Sequence, residues 1–152
     1  MNENFDLKGS NRTLYLEILK QAVTLSLDDP NTKALFGQPV DASSLPDYLD
    51  IIESPKDLGT ILSDIDASIE GDGPYDAIDD ILGDVNLVWQ NCLEYNNRPE
   101  DAQIISICRN SKRLFGRMLQ KACKEAGVEP DVFSVGKKSA LYNFAGPEGQ
   151  GR

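Results

Sequence analysis

The chain contains no histidine. That absence removes the side chain most used for general acid–base work near neutral pH and the commonest nitrogen ligand of zinc. Its three cysteines, Cys92, Cys108 and Cys123, are odd in number and lack the paired spacing of a metal knuckle, so a zinc site has too few ligands. Reduced, packed thiols are the expectation. A phosphate-cradling glycine loop is missing, as is the setting of an activated nucleophile, so no enzyme activity, metal or cofactor is expected. Apolar runs are only a few residues long and no charged-then-apolar leader opens the sequence. Neither a membrane span nor a secretory signal is therefore expected, and the chain reads as soluble and intracellular.

What is present is charge, unevenly placed. The 152 residues carry a net of −10. Residues 28–101 hold 18 Asp or Glu against Lys33, Lys56 and Arg98, a net of −15. Residues 102–126 reverse the sign, with Arg109, Lys112, Arg113, Arg117, Lys121 and Lys124 against Glu125 alone. The acidic middle excludes a direct nucleic-acid contact through that face and attracts basic peptides over a distance that salt shortens. A solvated surface serving solubility is the plainer account of the same count.

Length fits one domain able to bury about two-thirds of its unfolded surface. Four helical stripes recur along it. Leu14, Tyr15, Ile18, Leu19, Ala22 and Val23 mark the first, over 11–27; Leu58, Ile61, Leu62, Ile65 and Ile69 the second, with Asp57 as its cap and Gly71-Asp72-Gly73-Pro74 as its stop. The third is Ile78, Ile81, Leu82, Val85, Val88, Trp89 and Cys92, ending near Tyr95, with Trp89 read as packing. After a polar turn, Asn96 to Asp101, comes the fourth, from Ile104 to Ala122. Between the first two lies a long segment broken by Pro30, Pro39, Pro46 and Pro55 yet rich in apolar residues, which marks a loop with a task. The pattern predicts an all-α protein, a four-helix bundle with one long crossover. Residues 1–10 and 127–152 are expected to be disordered, with the reservation that Val132, Phe133, Leu141, Tyr142 and Phe144 are apolar enough to fold back.

Three weaker patterns carry nothing. Asn11-Arg12-Thr13 fits a glycosylation site but falls on a predicted helix. Asp64 and Asp66 begin a calcium-like loop whose required glycine is Ile69. The acids of 76–84 lack the histidines of a di-metal bundle.

Gln38-Pro39-Val40-Asp41, Leu45-Pro46-Asp47-Tyr48-Leu49-Asp50-Ile51-Ile52, Pro55-Lys56-Asp57-Leu58-Gly59-Thr60-Ile61 and Asn91-Cys92-Leu93-Glu94-Tyr95-Asn96 together resemble the bromodomain signature, over residues 11–126. The resemblance implies a left-handed four-helix bundle with an acetyl-lysine pocket between the long loop and the turn before the last helix. It implies that Asn96 donates to the acetyl carbonyl, that Tyr48 reaches the same oxygen through a water, and that Phe36, Pro39, Val40, Leu45, Cys92 and Tyr95 form walls. Such a side chain has lost its charge, so an apolar slot accepts it, and its carbonyl needs a donor.

Alone, Asn96 and Asn97 would be helix-end caps; the resemblance reassigns Asn96 and leaves Asn97 as a turn residue. The turn before the last helix is two residues longer than in many members, which puts Ile104 rather than Ala102 at the gate. Ala34-Leu35-Phe36 stands where many members have an aromatic shelf, and Lys56 replaces a methionine and is expected to snorkel. The implied partners are acetylated histone tails or other acetylated peptides and further domains of a larger chromatin protein, in the nucleus. The alternative is a bromodomain fold that serves only as a protein-interaction scaffold, its pocket closed by the altered shelf and longer turn.

Overall fold

The computed structural model describes residues 11–133. These form helices α1 (Arg12–Leu27), α2 (Pro30–Phe36), α3 (Tyr48–Ile51), α4 (Leu58–Ile69), α5 (Ile78–Tyr95) and α6 (Ala102–Ala126), with 3-10 turns at Pro99–Asp101 and Pro130–Phe133. No extended strand occurs among the described residues. The four long helices are the four stripes of the sequence. Segment 1–10 and residues 134–152, with Leu141, Tyr142 and Phe144, lie outside the described residues.

Helix α1 packs chiefly on α6 and then on α4, and α5 joins α6 and α4 to close the bundle. Because two neighbours cover it, the buried arc of α1 is wider than a single stripe: Leu16 is fully buried, whereas Leu14, predicted as core, is exposed. Trp89 sits at the centre with no exposed surface, its ring edge-on to Phe36 at 5.2 Å. Its Nε1 is the one buried side-chain polar atom without a hydrogen-bond partner among the described residues. The last long helix ends as its sequence dictates. Gly127 takes φ 72°, a left-handed conformation, while Val128 N–H bonds Cys123 O at 2.9 Å and Gly127 N–H bonds Lys124 O at 3.2 Å. Those two bonds satisfy carbonyls that the helix end would orphan.

Two expectations need correction. The proline-broken crossover is more ordered than its breaks imply, because Pro30 opens a helix instead of interrupting one. At the first helical position its missing N–H costs nothing, and Asp29 caps the turn by accepting from Thr32 N at 3.0 Å. The C-terminal boundary also moves, since Phe133 is fully buried and stands edge-on to Tyr15 at 5.9 Å, with Val128 and Val132 packed beside the core. Residues 128–133 are thus part of the packed body and not of a disordered tail.

The crossover is fastened to the bundle at three places. Thr32 and Ser111 hydroxyls meet at 2.6 Å inside the core, and Asn91 Nδ2 donates to Ser54 O at 2.8 Å. The third is backbone on backbone: a Cβ on Gly59 would lie 2.1 Å from Gly37 O, so the start of α4 reaches the end of α2 only because residue 59 has no side chain. Asp57 caps α4 there, accepting from Thr60 N at 2.8 Å.

Candidate binding site

Between the crossover and the end of α5 lies a cavity of about 320 Å³. That is at the lower end of the roughly 300–1,000 Å³ typical of ligand clefts. Phe36, Tyr48, Val88 and Cys92 line it and are buried, so they form its interior, while Val40 and Leu45 line it and are exposed at its mouth. Tyr95, Asn96 and Ile104 complete the wall from the α5 end and the start of α6.

Each polar member is placed by local structure. Asn96 follows the last residue of α5, and its backbone N–H and its side-chain Nδ2 both donate to Cys92 O at 2.9 Å. The amide nitrogen lies 3.7 Å from Cys92 Sγ, a weak acceptor, so its second hydrogen is open to a better one. Tyr48 begins α3, where its N–H bonds Leu45 O at 2.9 Å, and its ring stands edge-on to Tyr95 at 4.9 Å. Its hydroxyl has no hydrogen-bond partner among the described residues, and burial pushes its pKa up. Tyr95 in turn donates to Asp47 at 2.5 Å, which ties the crossover to α5 and raises the Tyr95 pKa through that bond. Below the turn, Asp101 accepts from Arg98 N and Nε at 3.1 Å, and these bonds hold its carboxyl below the usual range.

The two thiols near the site differ. Cys108 is pushed up by its bond to Cys92 and by burial, whereas Cys92 is lowered by the same bond. No group of His, Cys, Asp and Glu able to hold a metal occurs among the described residues.

Of the nine residues expected at the site, eight come together here: Phe36, Val40, Leu45, Tyr48, Cys92, Tyr95, Asn96 and Ile104. Pro39 does not. In this non-helical stretch Pro39 lines only a neighbouring groove, with Pro30 and Asp41, whereas Gln38 and Val40 on either side of it border both that groove and the cavity. Ile104 lines the cavity, whereas Ala102 lines a groove on the other side of the turn. Val88, Gln38, Asp57, Arg98 and Asp101 were not expected. Val88 was findable, lying four residues before Cys92 and hence on the same helical face. Lys56 lies along the wall with its amine 3.5 Å from Asp84, which also accepts from the Tyr75 hydroxyl at 2.8 Å.

The family profile described as Bromodomain matches residues 15–110, most of the described chain. The chain belongs to the bromodomain family. Bromodomain-containing factor 2 of Saccharomyces cerevisiae is 37% identical over 102 residues, 66% of this chain and 15% of that protein. Human ATPase family AAA domain-containing protein 2 is 36% identical over 81 residues, 53% of this chain and 6% of that one. The chain thus spans a small part of the length of these relatives. Among solved structures, the second bromodomain of Candida albicans Bdf1, bound to an imidazopyridine, has a TM-score of 0.58 and 26% identity, covering 72% of this chain and 98% of that one. The bromodomain of human BAZ1A shares the fold at TM-score 0.58 and 22% identity, covering 75% and 95%. The shared fold is a left-handed four-helix bundle. Bromodomains are in general readers of acetylated lysine and not enzymes.

Proposed function

We propose that this bromodomain binds acetyl-lysine in the 320 Å³ cavity, with Asn96 Nδ2 donating to the acetyl carbonyl and Tyr48 linked to the same oxygen through a water. The observation that carries this reading is the convergence of the Asn96 amide and the Tyr48 hydroxyl, which has no hydrogen-bond partner among the described residues, on the apolar side chains of Phe36, Val88 and Cys92. A neutral acetylamide suits the apolar part of the lining, where an ammonium would lose its water; the two carboxylates on the wall are already engaged, Asp57 by Thr60 N and Asp101 by Arg98. Val88 and Phe36 pack the butyl stem, Ile104 gates the entrance, and Val40 and Leu45 flank the peptide. The ligands are acetylated histone tails or other acetylated proteins, read in the nucleus as one module of a larger chromatin protein.

The scaffold alternative requires a closed pocket, and the open cavity favours the reader. Calorimetric titration of acetylated and unmodified histone peptides tests it. The acetylated peptide binds, the unmodified one does not, and Asn96→Ala weakens binding about 5- to 150-fold, the equivalent of a ~1–3 kcal/mol unpaired acceptor. Equal binding of both peptides, or undiminished binding by the variant, would refute the proposal.

A further inference from the structure

Residues 102–124 contain no Asp or Glu, and all six of their charged residues are Lys or Arg. Helix α6 buries Cys108, Phe115, Leu119, Ala122 and Cys123 against the bundle. With about 3.6 residues per turn, Arg109, Arg113, Arg117, Lys121 and Lys124 fall on the opposite side. Arg109, Arg117, Lys121 and Lys124 are exposed. From Arg109 to Lys121 a cation recurs every fourth residue, over about 18 Å of axis. At its upstream end this stripe enters a surface groove of about 530 Å³ walled by Asn97, Ser106, Arg109 and Arg113. Arg98, paired with Asp101 and Glu100, lines that groove as well, beside Arg109 and Arg113, whose guanidinium donates to Asn110 Oδ1 at 2.7 Å.

We propose that this outer face of α6 is a docking surface for the phosphate backbone of duplex DNA. A duplex carries one negative charge per ~1.7 Å of axis, so an 18 Å row of cations faces a row of phosphates and not a single one. Arginine suits the role because its planar fork grips phosphate oxygens in pairs. Three other occupants fit less well. An interfacial helix for a lipid surface needs exposed apolar anchors, and the large exposed apolar residues among those described, Leu14, Val40, Leu45, Leu49 and Ile51, all lie elsewhere. Single strands are held by stacking on aromatic rings, of which the face has none. An acidic peptide offers no regular row of charges. The Lys121–Glu125 pair at 2.9 Å is half-exposed on both sides and yields readily to a phosphate. The acidic 28–101 segment repels DNA, so the duplex approaches from the α6 side only. This site is separate from the acetyl-lysine cavity and does not rest on it.

Fluorescence anisotropy with a labelled duplex of arbitrary sequence, over about 50 to 200 mM salt, tests the proposal on the full chain. Each phosphate contact adds about 0.9 to the slope of log affinity against log salt. Across that fourfold rise the native chain therefore loses about 40-fold more affinity than Arg109→Gln/Arg113→Gln/Arg117→Gln, which removes three contacts. The thermal midpoint of the variant checks its folding, and Arg117→Gln alone, at an exposed position, lowers the slope by about 0.9 without disturbing packing. Equal slopes for native and variant chains overturn the proposal. So does tighter binding to phosphatidylserine vesicles, a polyglutamate peptide or duplex RNA than to duplex DNA.

Discussion

Of the three buried thiols, Cys92 lines the cavity and keeps 9% of its surface exposed, against 0% for Cys108 and Cys123. Burial pushes Cys123 up to about 11, and Cys108 is also raised, so the reactive thiolate is concentrated at Cys92. A small haloacetamide is expected to alkylate Cys92 first, with Cys108 and Cys123 at least about tenfold slower. Peptide mass spectrometry reads the order, and an acetylated peptide slows the first event only. Glycine supplies a second contrast. Gly59→Ala drives a methyl into Gly37 O, 2.1 Å from its built position, and costs about 1–3 kcal/mol. Gly83 lies in α5 with nothing within 4 Å of its Cβ position, and Gly83→Ala stabilises by up to ~1 kcal/mol through helix propensity. Urea midpoints of the two variants should move in opposite directions.

Helix by helix, the stripes were legible because period and burial agree wherever one face is covered. α5 is the clearest case: Ile78, Ile81, Leu82, Val85, Val88, Trp89 and Cys92 of the stripe are all buried, joined only by Asn91, which is tied to Ser54 O. Leu16 escaped because α1 is covered on more than one side, which a single stripe does not encode. In the crossover the prolines read as breaks, and α2 was missed because seven residues are too few for a periodic signal. The site was legible through the family pattern, since nothing local distinguishes Asn96 from an ordinary helix-end asparagine. Pro39 shows its limit: order along the chain does not say which side of an irregular segment faces inward. Phe133 was placed in the tail, with the reservation that it is apolar enough to fold back, and it is fully buried. Phe133→Ala should cost about 3–5 kcal/mol, and a chain ended at residue 126 should melt lower by a comparable amount, both read by thermal unfolding.

At the scale of the whole molecule the charge is sorted. Asp41, Asp47, Asp50 and Glu53 are exposed on the crossover that forms the cavity mouth, and the basic stripe lies along α6. Asp41 is held below the usual carboxylate range by bonds from Ser43 and Ser44, so it stays charged as the pH falls toward that range. An acetylated peptide with lysine or arginine flanks should lose affinity as salt rises from about 50 to 500 mM, while the same peptide with neutral flanks should not. Parallel titrations of the two peptides decide whether the acidic mouth takes part in recognition or serves solubility alone.

Tyr15 in the first turn of α1 meets Phe133 at the end of the packed chain. The domain therefore begins and ends at one place. From Ile104 at the cavity to Ala126, α6 runs about 33 Å, which sets that place at the far end from the mouth. Entry and exit side by side, opposite the mouth, are what a cassette needs: the packed fold can be spliced into a much longer polypeptide without stretching its host.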